Sequence, residues 1–184
     1  MPGSTSPIVV RRIGTNVEIR YRDVPLFHNE RARAVLTDLG RLYFDLALQQ
    51  IAGHISDAAP VGVSGHLAQS FAGSTDGGIE VLGQSFEQLR GRVFSSLPYA
   101  IVIDQGRRPG ARMPPPEALK LWVEKVLGID PSESRQVAFL IARSIAKKGI
   151  EARHFVEQGL KQAEGDLRHI WQAYGDAIAV ALTA

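Results

Sequence analysis

Histidine is the side chain most often recruited as a base, a proton shuttle or a metal ligand near neutral pH. This chain has five, at positions 28, 54, 66, 154 and 169. No two lie three or four residues apart on an expected helix, the spacing that puts two imidazoles on one metal ion in HExxH-type sites. Each lone histidine therefore reads as a surface residue or a hydrogen-bonded core residue. Gly62-Val63-Ser64-Gly65-His66 has the look of a hydrolase elbow. It lacks the second intervening residue of G-x-S-x-G, and no strand–turn–helix context surrounds it. Gly73, Gly77 and Gly78 match neither the phosphate loop nor the dinucleotide fingerprint. Asp104 and Glu117 flank a basic loop and are of the right type for acid–base work, but a solvated or salt-bridged role is the expectation. The chain has no cysteine, which removes disulfides and thiolate metal sites. The reading at this level is that of a protein that is not an enzyme, with no catalytic, cofactor-binding or metal-binding residue.

The most unusual segment is Arg107-Arg108-Pro109-Gly110-Ala111-Arg112-Met113-Pro114-Pro115-Pro116. Three arginines among turn formers and a polyproline stretch make a stiff basic loop. It reads as a solvated connection, as a docking loop whose guanidinium forks meet carboxylates of a neighbour, or as a contact for passing DNA. The formal charge of the whole chain is only +2, too little to make nucleic-acid binding the main task, because phosphate-driven affinity needs several clustered cations.

The surrounding elements must carry these residues. With 184 residues, 45% apolar and 22% charged, the chain can bury a real core without staples. Residues 1–7 are Pro/Gly/Ser/Thr-rich and are expected to be flexible, with no signal peptide and no membrane span. Residues 8–13 and 17–24 flank Gly14-Thr15-Asn16, and Val17, Ile19 and Tyr21 alternate with Glu18, Arg20 and Arg22. That is a β-hairpin with a charged outer face, expected to form an arm over residues 1–27, outside a main α+β domain over 28–184. Arg20 and Arg22 join Arg107, Arg108 and Arg112 as candidate interface residues.

Residues 29–58 read as one long helix with Asn29 as its cap and Leu36, Leu39, Tyr43, Ala47, Ile51 and Ile55 on one face. Pro60 ends it. Residues 59–78 read as loop with a short ordered piece at His66–Phe71. Residues 79–83 and 91–96 read as strands. Residues 99–105 suit either a strand, from Ile101-Val102-Ile103, or a short helix stopped by Gly106. Pro116 opens a helix running to Gly128. Asp130, Pro131 and Glu133 open another, with Val137, Leu140, Ile141 and Ile145 as its apolar face and a stop at Gly149. A last helix begins near Glu151 or His154 and runs to about Leu182, with Phe155, Leu160, Ala163, Leu167, Ile170, Tyr174 and Ile178 as its stripe. The expected fold class is α+β: a long helix on a small antiparallel sheet, completed by C-terminal helices. Leu39, Tyr43, Ile51, Trp122, Leu140, Ile141 and Phe155 are expected in the core.

Ala58-Ala59-Pro60 through Gly65-His66-Leu67-Ala68-Gln69-Ser70 resembles the A-P-x-x-[ST]-G-x-L-x-x-S signature of the tail-component family of long-tailed, lambda-like bacteriophages. Tyr99-Ala100 followed by Asp104-Gln105-Gly106 resembles that family's Y-A and E-x-G motif. Pro114-Pro115-Pro116 with Leu121-Trp122-Val123, then Ala138 to Ile145 and Lys148 to Phe155, are similar to its loop, helix and A-x-x-I…G…F stretch. The likeness covers about residues 30–175. Asp104 stands where glutamate is usual, the A-P loop is longer by a residue or two, and the N-terminal hairpin is an addition. Contractile-tailed phages have virion-morphogenesis proteins with a similar short pattern. The resemblance implies a non-catalytic tail-completion or neck subunit of the virion, assembled in the host cytoplasm. It further implies a ring of copies, expected sixfold, bound to head–tail connector and tail-terminator or tail-tube proteins, with DNA in the lumen as a further contact.

Overall fold

The computed structural model describes residues 8–21, 30–60, 65–73, 76–85 and 88–183. Arg22, His28, Asn29, Gly62, Val63 and Ser64, which carried expectations above, lie outside the described residues. The fold is α+β. Strands β1 (Ile8–Ile13) and β2 (Asn16–Tyr21) precede helices α1 (Glu30–Ala58) and α2 (His66–Phe71). Strands β3 (Gly77–Leu82) and β4 (Arg90–Ser95) follow, then helices α3 (Ala100–Gln105), α4 (Glu117–Val126), α5 (Pro131–Lys148) and α6 (Phe155–Thr183).

The four strands make one antiparallel sheet in the order β1-β2-β4-β3. The N-terminal hairpin forms as its alternation requires, with Gly14 at φ 63 in the turn. It does not stand off as an arm. β2 pairs with β4, Val17 opposite Val93 and Ile19 opposite Gly91, and both Val17 and Ile19 are fully buried in the main core. The cause is the period of two: Val17 and Ile19 face one side, and α1 is the surface that covers them. Gly91 marks the close approach, since a Cβ there would sit 2.5 Å from Leu48 Cδ1 and 2.9 Å from Ile19 Cγ1.

Helix α1 is the shared element. It packs on the sheet and α2 and, along its length, on α6. Leu36, Ala47, Ile51 and Ile55 are buried as their spacing demands, with Leu39 and Tyr43 half-buried against the same core. The antiparallel α1–α6 contact is tight at Gly159, where a Cβ would lie 2.6 Å from Ile55 Cα. Farther along, side chains hold the helices apart: Phe44 meets Trp171 edge-on at 5.9 Å and Tyr43 meets Tyr174 at 5.1 Å. On α6, Phe155, Ala163, Leu167 and Tyr174 are buried, and Leu160, Ile170 and Ile178 pack against them. His54 Nε2 lies 2.8 Å from Asp166 Oδ2, a second tie between the two helices.

Residues 100–105 are helical, resolving the two readings of that segment. The helix stops at Gly106, φ 75. Burial explains the choice: Ala100 and Asp104, four residues apart, are both inside. Helix α5 starts as expected, with Pro131 in its first turn and the Asp130 carboxylate accepting from the Ser132 N–H at 2.9 Å.

Helices α4 and α5 pack on each other as a hairpin. Their contact is lined by Val123, Ser134, Ala138 and Ala142, and none of these belongs to the main core. Two core expectations fail here. Trp122 is 43% exposed and Leu140 is 56% exposed; Ile141 is only half-buried. Periodicity located an apolar side of each helix. Small residues fill the helix contact; Val137, Ile141 and Ile145 are half-buried beside it, and Leu140 is left outside.

Candidate interaction surfaces

Asp104 has the salt-bridged role expected of it rather than acid–base work. Its side chain is fully buried and receives the Arg12 guanidinium from β1. Its other carboxylate oxygen accepts from the Val156 N–H at 3.1 Å, in the first turn of α6. A carboxylate there satisfies an otherwise orphaned helical donor and meets the positive end of the helix dipole. The Asp104 carbonyl accepts from the His154 N–H at 2.8 Å, and the Ile103 carbonyl from the Arg153 N–H at 3.0 Å. His154 takes a left-handed conformation, φ 51, just before the helix starts. Glu117 is exposed and pairs with Arg135 at 3.5 Å, away from Asp104. Nothing in this geometry brings the two carboxylates together.

The arginine loop leaves this same junction. Arg107 and Ile150 exchange backbone hydrogen bonds of 2.8 and 2.9 Å, and the Gly110 N–H donates to the Ala146 carbonyl at 2.7 Å. The loop is thus pinned to the end of α5. Arg107 is half-buried; Arg108 and Arg112 are exposed. Neither Arg108 nor Arg112 makes an ion pair with another described residue. Arg20 is exposed on the outer face of the sheet opposite Arg90, distant in sequence and element from that loop. The five candidate arginines therefore do not make one site: three share the loop, Arg20 lies on the sheet, and Arg22 is outside the described residues.

The outer sheet face carries a cross-strand row of alternating charge. Arg11 stands opposite Glu18, Glu18 opposite Arg92, and Arg92 opposite Glu80. Arg92 also bonds Glu80 at 2.8–2.9 Å and covers the Phe94 ring at 4.7 Å. Paired charges across strands stabilise the sheet and keep this face soluble.

The α4–α5 hairpin is the surface that sequence reasoning missed. Leu121 (62% exposed), Trp122, Val126, Leu127, Phe139 (44%) and Leu140 all reach solvent. Large exposed apolar groups gathered on one small unit are the informative case, because scattered single ones are ordinary. Charge marks the same unit. Residues 107–148 hold nine Lys/Arg against four Asp/Glu, whereas the remainder of the chain holds twelve against fifteen. This segregation was countable from the sequence, but only the separation of the hairpin from the main core gives it meaning.

Among the described residues, no group of three His, Asp or Glu side chains is placed to hold a metal ion, and no helix is long and apolar enough to cross a membrane. Neither a protein-family model, nor a curated protein, nor a solved structure matches the chain.

Proposed function

We propose that this chain is a structural subunit of a tailed-bacteriophage virion, acting at the head–tail junction through contacts with copies of itself and with connector, tail-terminator or tail-tube proteins. In this reading it has no catalytic role. The observation that carries the proposal is the outward-facing α4–α5 hairpin, whose small residues face inward and whose Leu121, Trp122, Phe139 and Leu140 face outward. A helix pair built this way loses free energy in water unless a partner covers it, at roughly 25 cal/mol per Å² of apolar surface. The motif resemblance supplies the virion context. Of its quoted residues, Ala59, Leu67, Ser70, Ala100, Asp104, Ala138 and Phe155 are buried, whereas Tyr99, Leu121 and Trp122 are exposed.

The test is native mass spectrometry and negative-stain imaging of the purified chain, alone and co-expressed with the connector and tail-tube subunits of the same genome. A closed ring of about six copies that binds one of those subunits is the expected outcome. A chain that stays monomeric, binds neither and is missing from purified particles would refute the proposal. The excess of cations in 107–148 favours one second reading, a module that contacts DNA. That reading requires duplex affinity falling about 10³-fold or more between 50 and 200 mM salt, which the self-association reading does not.

A further inference from the structure

Ring assembly needs a heterologous contact, in which one face of a subunit meets a different face of the next. Resting on the self-assembling reading above, the structure carries a candidate for both faces. On α5, Arg135, Phe139, Arg143 and Lys147 follow one another at four-residue steps, and all are exposed. They form an apolar centre flanked by cations. Among the described residues Arg135 is held by a surface pair with Glu117, side chains 80% and 63% exposed, and such pairs exchange partners at little cost. On the outer side of α1, Asp38, Leu42, Asp45, Leu46 and Gln49 share one stripe. Leu42 is 55% exposed and Leu46 39%. Gln49 Nε2 donates to Asp45 Oδ2 at 2.7 Å and holds that carboxylate on the stripe. Arg41, the cation nearest in sequence, turns its guanidinium to the Gly83 carbonyl.

We propose that the α5 stripe Arg135–Phe139–Arg143 of one copy docks on the α1 stripe Asp38–Leu42–Asp45–Leu46 of the next, head to tail. The two stripes repeat charge and apolar side chains at the same pitch of about 6 Å per four residues, with opposite sign. A nucleic-acid partner would use the cations but leave Phe139 uncovered; a second copy of this chain uses both. The cation-rich hairpin and the acid-rich remainder of the chain would then attract along the whole ring, setting orientation and association rate.

The experiment uses the full chain and two reversed variants. One carries Arg135→Glu and Arg143→Glu; the other carries Asp38→Arg and Asp45→Arg. Each alone should assemble only at concentrations roughly a hundredfold above wild type, the loss expected when close charge pairs become repulsive. Mixed in equal amounts, they should recover assembly, because the reversed α5 face of the first meets the reversed α1 face of the second while their two native faces meet each other. Native mass spectrometry should then find the two chains in equal numbers. Phe139→Ser should weaken assembly without such rescue. A reversed variant whose circular dichroism shows loss of fold is replaced by its milder counterpart, Arg143→Gln or Asp38→Asn, for which weaker assembly than wild type is expected and equal assembly overturns the docking. If wild type assembles and both reversed variants do so equally well, this docking is wrong while the virion-subunit reading stands. Failure of the mixture to recover also overturns it. A wild-type chain that remains monomeric overturns this docking, and overturns the virion-subunit reading as well only if it also binds neither neighbouring subunit and is missing from purified particles.

Discussion

Asp104→Ala should be among the most damaging single changes outside the apolar core. The substitution removes a fully buried carboxylate that accepts from Arg12 and from the Val156 N–H. Breaking a buried ion pair by deleting one partner costs about 3–5 kcal/mol. Here the Arg12 side chain is a quarter exposed, so water takes up part of its charge and draws the figure toward the lower end. The Val156 N–H, inside the fold, then has no acceptor, and an orphaned buried donor costs about 1–3 kcal/mol by itself. Because the two contributions overlap, a net loss of about 3 kcal/mol is expected. At roughly 2–4 °C per kcal/mol for a chain of this size, the melting midpoint should fall by about 6–12 °C. Asp104→Asn keeps an oxygen for Val156 and loses only the charge, so it should cost about half as much. Urea unfolding followed by far-UV circular dichroism reads both, and the double change with Arg12→Ala isolates the pair, with a coupling of about 1–3 kcal/mol expected. An Asp104→Ala protein within about 0.5 kcal/mol of wild type, or an Asn variant as unstable as the Ala variant, would show that the carboxylate does not anchor the start of α6.

Gly159→Ala should destabilise by more than about 2 kcal/mol, since its new methyl would meet the α1 backbone at 2.6 Å; Gly165→Ala, where nothing lies within 4 Å, should gain about 0.5–1 kcal/mol. Deleting residues 1–21 should abolish the cooperative thermal transition, because it removes Val17 and Ile19 from the core and strips β4 of a paired strand. Leu140→Ala, on a side chain 56% exposed, should change monomer stability by less than about 1 kcal/mol, against about 2–5 for Ile51→Ala. The Tyr99 phenol, raised by burial and then by the Asp76 charge, should ionise above the ordinary value near 10 in an ultraviolet titration, and Asp76→Asn should bring that midpoint down.

Much of the architecture was legible in the order of residues. The long helices were set by unbroken stripes, Leu36 to Ile55 and Phe155 to Ile178, and the helix ends by Asp130-Pro131 and Gly149. What the chain order could not convey was partnership between distant segments. Alternation in 17–21 announced a strand with one apolar side, and it said nothing of α1 as the surface that would cover that side. The hairpin was therefore read as an arm. Asp104 likewise carried no local sign of its role, because its partners Arg12 and Val156 lie 92 and 52 residues away.

The α4–α5 hairpin shows the same limit with a functional consequence. An apolar stripe states that a face must leave water; it does not state whether the cover comes from the same chain. In α1 and α6 the cover is intramolecular, and the stripes that predicted burial are buried or half-buried against the core. In α5 the large members of the stripe were expected inward, yet Ala138 and Ala142 make the helix contact and Leu140 stays outside. The α4–α5 contact is lined by Val123, Ser134, Ala138 and Ala142, smaller side chains than the aromatic and branched ones between α1 and α6, so the pair gains less from its own packing than α1 gains from α6. Its position is tied instead by the backbone junction at Arg107–Ile150 and Gly110–Ala146, which does not depend on covering Trp122, Phe139 or Leu140. An apolar surface presented on such a preformed junction lowers the ordering cost of association. That is the physical reason to expect the missing cover in another chain, and it places the test of function on assembly.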